Sequence, residues 1–182
     1  KVTGIRFVDK GDLDLAILEI EDNAELAPRV LTLADKFSLG PSARVAAIGY
    51  PQRPRPCEPN EDFNEEDPCT FLKNPQIDEF FREPDKSKLD SPEFPEERLS
   101  PGYILRDPTY SPTVFLYDSS TWGGSSGSPI ISLVDGKVVG IHFKGVGGNI
   151  KDSGYNKGLK MEIVVAKLMQ EGILSNLQVV SR

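Results

Sequence analysis

Histidine is nearly absent from this sequence of 182 residues, which contains one histidine, one tryptophan and two cysteines. The cysteines, Cys57 and Cys69, form no CxxC pair, so they argue against a zinc site and are compatible with a single loop disulfide. No other pattern indicates a metal or a cofactor. No apolar run approaches the roughly 18 to 20 residues that span a bilayer, so we expect no membrane segment.

An excess of basic residues is also missing. The formal net charge is −7, and residues 51–100 hold 14 of the 28 acidic and 7 of the 21 basic residues, so the rest of the chain is neutral. A nucleic-acid surface requires a concentrated basic face, and none is present. We therefore expect no nucleic-acid partner.

The acidic segment is rich in proline. Ten of the fifteen prolines lie between residues 51 and 101, and no hydrophobic period is sustained there. We interpret residues 52–97 as a long insertion, with a short helix around "PQIDEFFRE". Two roles remain open: a lid, exosite or autoinhibitory element, or a solvated decoration without a function.

Elsewhere the pattern predicts short strands separated by turns. Strands are expected in residues 1–8, 13–20, 43–51, 113–118, 128–134 and 137–144, the last two joined by a hairpin at Asp135 and Gly136. Apolar spacing predicts a C-terminal helix within residues 159–175, which ends at Gly172. The spacing of strands and turns favours an all-β barrel or sandwich.

The stretch "GGSSGSPI", residues 123–130, has two interpretations. Glycine and serine runs are common in turns between strands. Alternatively, small residues around a reactive serine let backbone N–H groups approach a substrate carbonyl and stabilise the oxyanion.

Four motifs in order favour the second interpretation. "GSSGSP" at residues 124–129 resembles the nucleophile motif of the trypsin-like serine peptidases, in the Ser-Gly-Ser-Pro form typical of glutamyl endopeptidases. "DLAIL" at residues 14–18 is similar to the segment with the triad aspartate, and residues 1–20 resemble the high-temperature-requirement peptidases. "ARVAAIGYP" is similar to the strand that opens the second barrel, and "VVGIHFKG" to the substrate-lining strand. The resemblance implies a double β-barrel whose first barrel is incomplete in this chain, with a C-terminal α-helix.

The resemblance assigns catalytic roles to particular residues. Ser126 would be the nucleophile, and the backbone N–H groups of Gly124 and Ser126 would form the oxyanion hole. Asp14 would orient the histidine, with Asp12 as a nearby alternative. Ser125 stands where the digestive proteases have an aspartate that pairs with a new N-terminus, so that kind of activation is not expected.

The catalytic histidine of the family has no counterpart at the expected position of this sequence. The only histidine, His142, lies downstream of Ser126, whereas the family's catalytic histidine precedes the aspartate. The chain begins at Lys1 without a methionine, which suggests a piece of a longer protein. We expect residues 1–40 to end the first barrel and connect the two barrels, residues 41–158 to form the second barrel, and a missing N-terminal segment to complete the triad.

The resemblance also places a specificity pocket. Ser120 occupies the position of the aspartate that selects Arg or Lys in trypsin-type enzymes, and Thr121 matches a hydroxyl of acid-specific relatives. His142 matches a histidine that contacts acidic side chains, although a barrel histidine with a satisfied hydrogen bond is the alternative. Lys144, two residues further, would share a side of the strand with His142. These groups favour a carboxylate.

The sequence thus predicts a serine endopeptidase that acts on proteins or peptides through an acyl-enzyme on Ser126, with an acidic preference before the scissile bond. A protease-like binding module without activity is the alternative from another class. An α/β-hydrolase esterase with Ser125 in G-x-S-x-G is disfavoured, because that motif needs a strand-to-helix elbow and residues after Pro129 are typical of a strand.

Overall fold

The computed structural model describes residues 1–11, 13–21, 30–51, 97–105, 111–121, 123–145 and 155–174. The expected insertion, its short helix and both cysteines lie outside these residues, apart from the last residue of the insertion, Glu97. The described part contains eight strands and one helix: β1 Val2–Asp9, β2 Leu15–Ile20, β3 Arg44–Gly49, β4 Arg98–Tyr103, β5 Val114–Tyr117, β6 Pro129–Ser132, β7 Val138–Gly145, β8 Asn156–Lys160 and α1 Met161–Gln170.

Six of the strands form one antiparallel sheet in the order β4-β3-β6-β7-β8-β5. Its two edges meet, because the Leu105 N–H donates to the Leu116 carbonyl at 3.0 Å and the Asp118 N–H donates to the Tyr103 carbonyl at 3.2 Å. These bonds flank an isolated bridge between Ile104 and Tyr117, so the sheet curls until its two edge strands touch at one corner. The predicted all-β fold with a C-terminal helix is confirmed.

The interior of the barrel is filled from several strands around Phe115. This side chain is 1% exposed, and its ring centroid lies 4.7 Å from that of Phe37. Gly140 and Gly158 face the ring closely, since a Cβ atom at either position would lie 2.5 Å from a Phe115 ring atom. Glycine at both positions therefore lets the aromatic ring pack directly against β7 and β8.

Strands β1 and β2 form a separate two-stranded antiparallel hairpin. Burial along β2 alternates residue by residue, as the apolar and polar alternation predicts. Phe7, Leu13, Leu15 and Ile17 pack against the cluster that includes α1. The hairpin thus packs against a cluster to which both the barrel strands and the C-terminal helix contribute.

Helix α1 buries one side and ends as its sequence predicts. Met161, Val164, Val165 and Leu168 are its buried residues. Gly172 follows the helix with φ of +71°, and the N–H of Ile173 returns to the carbonyl of Leu168 at 2.9 Å. A glycine in the left-handed region is a common helix stop, because it carries no Cβ penalty there. The helix lies within the expected 159–175 segment.

The connector before β3 is fixed to both β7 and the helix. The Ala34 N–H donates to the Val138 carbonyl at 2.9 Å, and the Phe37 N–H donates to the Glu162 carboxylate at 2.9 Å. Strand β8 is an element that sequence periodicity did not predict, since "NKGLK" mixes lysine and glycine with a single leucine. The boundaries proposed at residues 40 and 158 remain predictions.

Candidate active site

The glycine and serine stretch forms a tight loop that leads into β6. Gly124 and Gly127 have φ of +88° and +89°, a region that side-chain-bearing residues rarely adopt. Of the three serines, Ser125 and Ser128 are buried, at 5% and 7% exposure, whereas Ser126 is exposed. The loop therefore presents a single serine to solvent.

Hydrogen bonds fix this loop on β7. The Gly127 N–H donates to the His142 carbonyl at 2.7 Å, and the His142 N–H donates to the Ser128 carbonyl at 2.9 Å. Among the backbone hydrogen bonds between described residues, Gly124 and Ser126 donate none. An oxyanion hole requires N–H groups that point at the ligand, and the role of Gly124 and Ser126 in one stays a prediction.

A cavity of about 510 Å³ opens beside the exposed serine. Gly124 and Ser126 line one side of it, and Leu31, Ile48 and Tyr50 supply an apolar side. Leu31 and Tyr50 are themselves about half exposed, so this side of the cavity is open to solvent.

Asp14 lies directly before β2, at the position for which the sequence predicted a triad aspartate. Its backbone has φ of +47°, which aspartate tolerates better than most residues, and its side chain is exposed. The alternative, Asp12, lies outside the described residues. No histidine stands beside Asp14, because His142 is part of β7 in the barrel. The catalytic role of Asp14 stays a prediction.

The segment after β5 carries the two hydroxyls of the predicted pocket. Ser120 is exposed. The Thr121 hydroxyl donates to Asn156 Oδ1 at 2.6 Å, and Asn156 Nδ2 donates to the Ser119 carbonyl. Gly145 adjoins this group, since a Cβ there would lie 3.3 Å from Asn156 Oδ1.

Sequence reasoning missed Asn156. It is 7% exposed and opens β8, a strand without a clear apolar alternation. A lone asparagine before a lysine carries no signal by itself, and only the register of three strands shows what it contacts. It pairs with Tyr117 of β5 and with Gly145 of β7.

His142 lies inside the barrel. It is 3% exposed, and its Nδ1 lies 2.7 Å from the hydroxyl of Tyr117, which is fully buried. Burial lowers the pKa of His142 and raises the pKa of Tyr117, because both charged forms would lose their water. This is the environment described by the alternative interpretation, a barrel histidine with a satisfied hydrogen bond. A role in binding an acidic side chain stays a prediction.

Lys144 is exposed on the same strand. The pairing of β7 with β8 shifts register between His142 and Lys144, so a bulge interrupts the two-residue alternation from which we placed both side chains on one side. Phe143, within the bulge, is 44% exposed. The ammonium group is thus in solvent, and its part in a pocket is also a prediction.

Two general features accompany the site. Within the described ranges, no group of three or more His, Cys, Asp or Glu residues is arranged to hold a metal ion. No helix in the described part of the chain is both long enough and apolar enough to cross a bilayer.

A curled antiparallel sheet, a C-terminal helix and a glycine-rich loop with one exposed serine are together typical of the trypsin-like class of peptidase folds. Residues 2–141 match the family of the trypsin-like peptidase domain. The chain belongs to this family.

Two solved structures are similar to this chain at low identity. The inactive form of the Rv3671c protease is 19% identical with a TM-score of 0.50, and the match covers 91% of this chain and 66% of that one. A serine-to-alanine mutant of Rv3671c from M. tuberculosis, also in an inactive form, is 19% identical with a TM-score of 0.49, covering 87% and 60% of the two chains. This chain thus spans 60% and 66% of those two chains. A search of curated proteins found no significant match.

Proposed function

We propose that this chain carries the nucleophile and the oxyanion hole of a serine endopeptidase. The observation that carries the proposal is that Ser126 is the one exposed serine of its loop, beside N–H groups of Gly124 and Ser126 that donate to no described backbone carbonyl. Ser126 Oγ would attack the scissile carbonyl while a base removes its proton. The two N–H groups would stabilise the resulting oxyanion. Its collapse would break the scissile C–N bond while the base returns the proton to the departing amine, and water would then hydrolyse the acyl-enzyme left on Ser126.

The test is covalent labelling of the full-length protein by a fluorophosphonate. We expect the label on Ser126, no label after Ser126→Ala, and unchanged labelling after Ser128→Ala, whose side chain is buried in the same loop. A label on any other serine, or none at all on the full-length protein, contradicts the proposal.

We further propose that a segment preceding Lys1 supplies the catalytic base and that Asp14 orients it. Support comes from the hairpin β1–β2, which exposes Val2, Ile5, Leu18 and Ile20 by 53%, 67%, 51% and 57%. A two-stranded hairpin with exposed apolar side chains needs further packing partners. An enzyme that has lost one triad member still hydrolyses its substrate roughly 10³ to 10⁴-fold faster than water does. Asp14→Asn should therefore slow the labelling of Ser126 without abolishing it. If Asp14→Asn labels at the full rate, Asp14 has no catalytic role.

The proposed substrate is a protein or peptide with an acidic rather than a basic residue before the scissile bond. Support comes from the exposed Ser120, where trypsin-type enzymes have a carboxylate, and from the exposed Lys144 of β7, whose last residue, Gly145, lies near Thr121. Paired peptides that differ only as Glu against Lys test this preference. Lys144→Met should reduce the kcat/KM for the Glu peptide more than for a matched Ala peptide. Preferred cleavage after Lys contradicts the acidic assignment.

The second candidate is a protease-like binding module. The observation that favours it is that the only histidine of this sequence is buried in the barrel with its Nδ1 bound to Tyr117. In that case the full-length protein would bind peptides at the cavity beside Ser126 without labelling. Peptide binding that Tyr50→Ala abolishes, in a protein that never labels, would favour the binding module over the peptidase.

A further inference from the structure

Asn156 lies where the ends of three strands meet at the proposed specificity pocket. Its backbone pairs with Tyr117, the last residue of β5, and with Gly145, the last residue of β7. Its buried amide contacts both ends of the short segment that follows β5, at the Ser119 carbonyl and at the Thr121 hydroxyl. Ser120, between these two attachments, is exposed.

The chemistry of these contacts fixes which group donates. A main-chain carbonyl only accepts hydrogen bonds, so the nitrogen of the Asn156 amide must face Ser119. The oxygen Oδ1 therefore faces Thr121, and at 2.6 Å the hydroxyl of Thr121 must donate its proton to it. A hydroxyl has one proton, so Thr121 has only lone pairs left for any other partner.

We propose that Asn156 determines specificity by acting through Thr121, and that it lowers the preference of the pocket for a carboxylate relative to an amide. Lone pairs on Thr121 attract the N–H donors of a glutamine side chain and repel the oxygens of a glutamate. The inference rests on the proposed function, whose pocket for the residue before the scissile bond includes Ser120, and on the sequence resemblance, which implies that Thr121 belongs to the same pocket. Asn156 is thus a positioning residue that sets the direction of one hydrogen bond.

Binding measurements test this inference without requiring chemistry at Ser126. In a full-length Ser126→Ala protein, we would measure the affinity of two peptides that differ only in a C-terminal Glu or Gln. Asn156→Ala frees the Thr121 proton for the ligand, so the ratio of Glu to Gln affinity should rise roughly threefold to tenfold, the range expected for one hydrogen bond. Thr121→Val removes the lone pairs but supplies no donor, so the ratio should rise by less.

The double variant separates a directed hydrogen bond from a general loosening of the segment. If Asn156 acts through Thr121, the protein with both Asn156→Ala and Thr121→Val should have the same ratio of Glu to Gln affinity as the protein with Thr121→Val alone. Ser119→Ala is the matched control, because its buried hydroxyl makes no hydrogen bond within the described residues and its carbonyl is kept. It should leave the ratio unchanged.

The outcomes that overturn the inference differ from those that overturn the proposed function. If the ratio of Glu to Gln affinity falls in Thr121→Val, the Thr121 hydroxyl donates to the carboxylate and the inference is wrong. If the ratio is unchanged in both Asn156→Ala and Thr121→Val, Thr121 does not contact the ligand. Equal or absent binding of both peptides in every variant overturns it as well. Failure of Ser126 to label in the unmodified protein contradicts the peptidase and leaves the binding ratio as an independent result.

Discussion

Mild acid should destabilise this fold through one side chain. The sequence has a single histidine, and it lies 3% exposed in the barrel with its Nδ1 2.7 Å from the hydroxyl of Tyr117. Because burial lowers the pKa of His142, the native protein resists a proton that the unfolded chain accepts near its ordinary pKa of about 6.5. The stabilisation is complete above that pH and is lost as the pH falls from about 6.5 toward the pKa of the folded state.

The magnitude follows from proton linkage. If the native imidazole stays neutral, the free energy of unfolding falls by about 1 kcal/mol between about pH 6.5 and about pH 5.5. Urea unfolding across this range measures the loss, and His142→Gln is the control because it removes the titrating ring while the carboxylates still titrate. Equal pH dependence in both proteins would refute the reasoning. The signal of the single imidazole in a proton NMR titration gives its folded pKa directly.

Three further substitutions test the packing of the barrel, the loop and the helix. Tyr117→Phe leaves a buried imidazole nitrogen unpaired and should lower the free energy of unfolding by about 1 to 3 kcal/mol; a neutral result in urea unfolding would show that water replaces the hydroxyl. Gly49→Ala would place a Cβ 1.8 Å from the Ser128 Oγ and 3.0 Å from its Cβ. Because Ser128 belongs to the loop that carries Ser126, this clash should slow the labelling of Ser126. Gly40→Ala is the control, since its Cβ would have nothing within 4 Å and labelling should be normal. Leu168→Ala empties a site of 4% exposure and should cost about 2 to 5 kcal/mol in thermal unfolding, and a loss below this range would mean that the helix packs loosely.

Much of the fold could be predicted from local pattern. Residues 13–20 alternate in polarity, and β2 alternates in burial as a half-buried strand must. Asp135 and Gly136 predicted a hairpin, and Gly136 has φ of +74° between β6 and β7. Gly172 predicted the helix stop and takes φ of +71°. In each case a requirement within one short segment, either alternating burial along a strand or a positive φ at a turn, determines both the residue type and the conformation.

Features that depend on pairing between distant segments could not be predicted in this way. Strand β8 has no apolar alternation, because Gly158 makes room for the Phe115 ring instead of contributing a side chain to the core. The bulge after His142 leaves no mark in the sequence, although it interrupts the alternation from which the position of Lys144 was inferred.

The nucleophile loop shows how local pattern and pairing combine at the candidate site. Its glycines could be predicted to permit an unusual backbone, and Gly124 and Gly127 have the positive φ that only such residues adopt easily. Which serine faces solvent, however, is decided by β7, because the His142 carbonyl holds the Gly127 N–H and the Ser128 carbonyl holds the His142 N–H. The strand that buries the only histidine of the chain therefore also fixes the loop that presents Ser126. Substitution of the His142 side chain leaves those backbone bonds in place, so it should alter stability in acid more than labelling of Ser126.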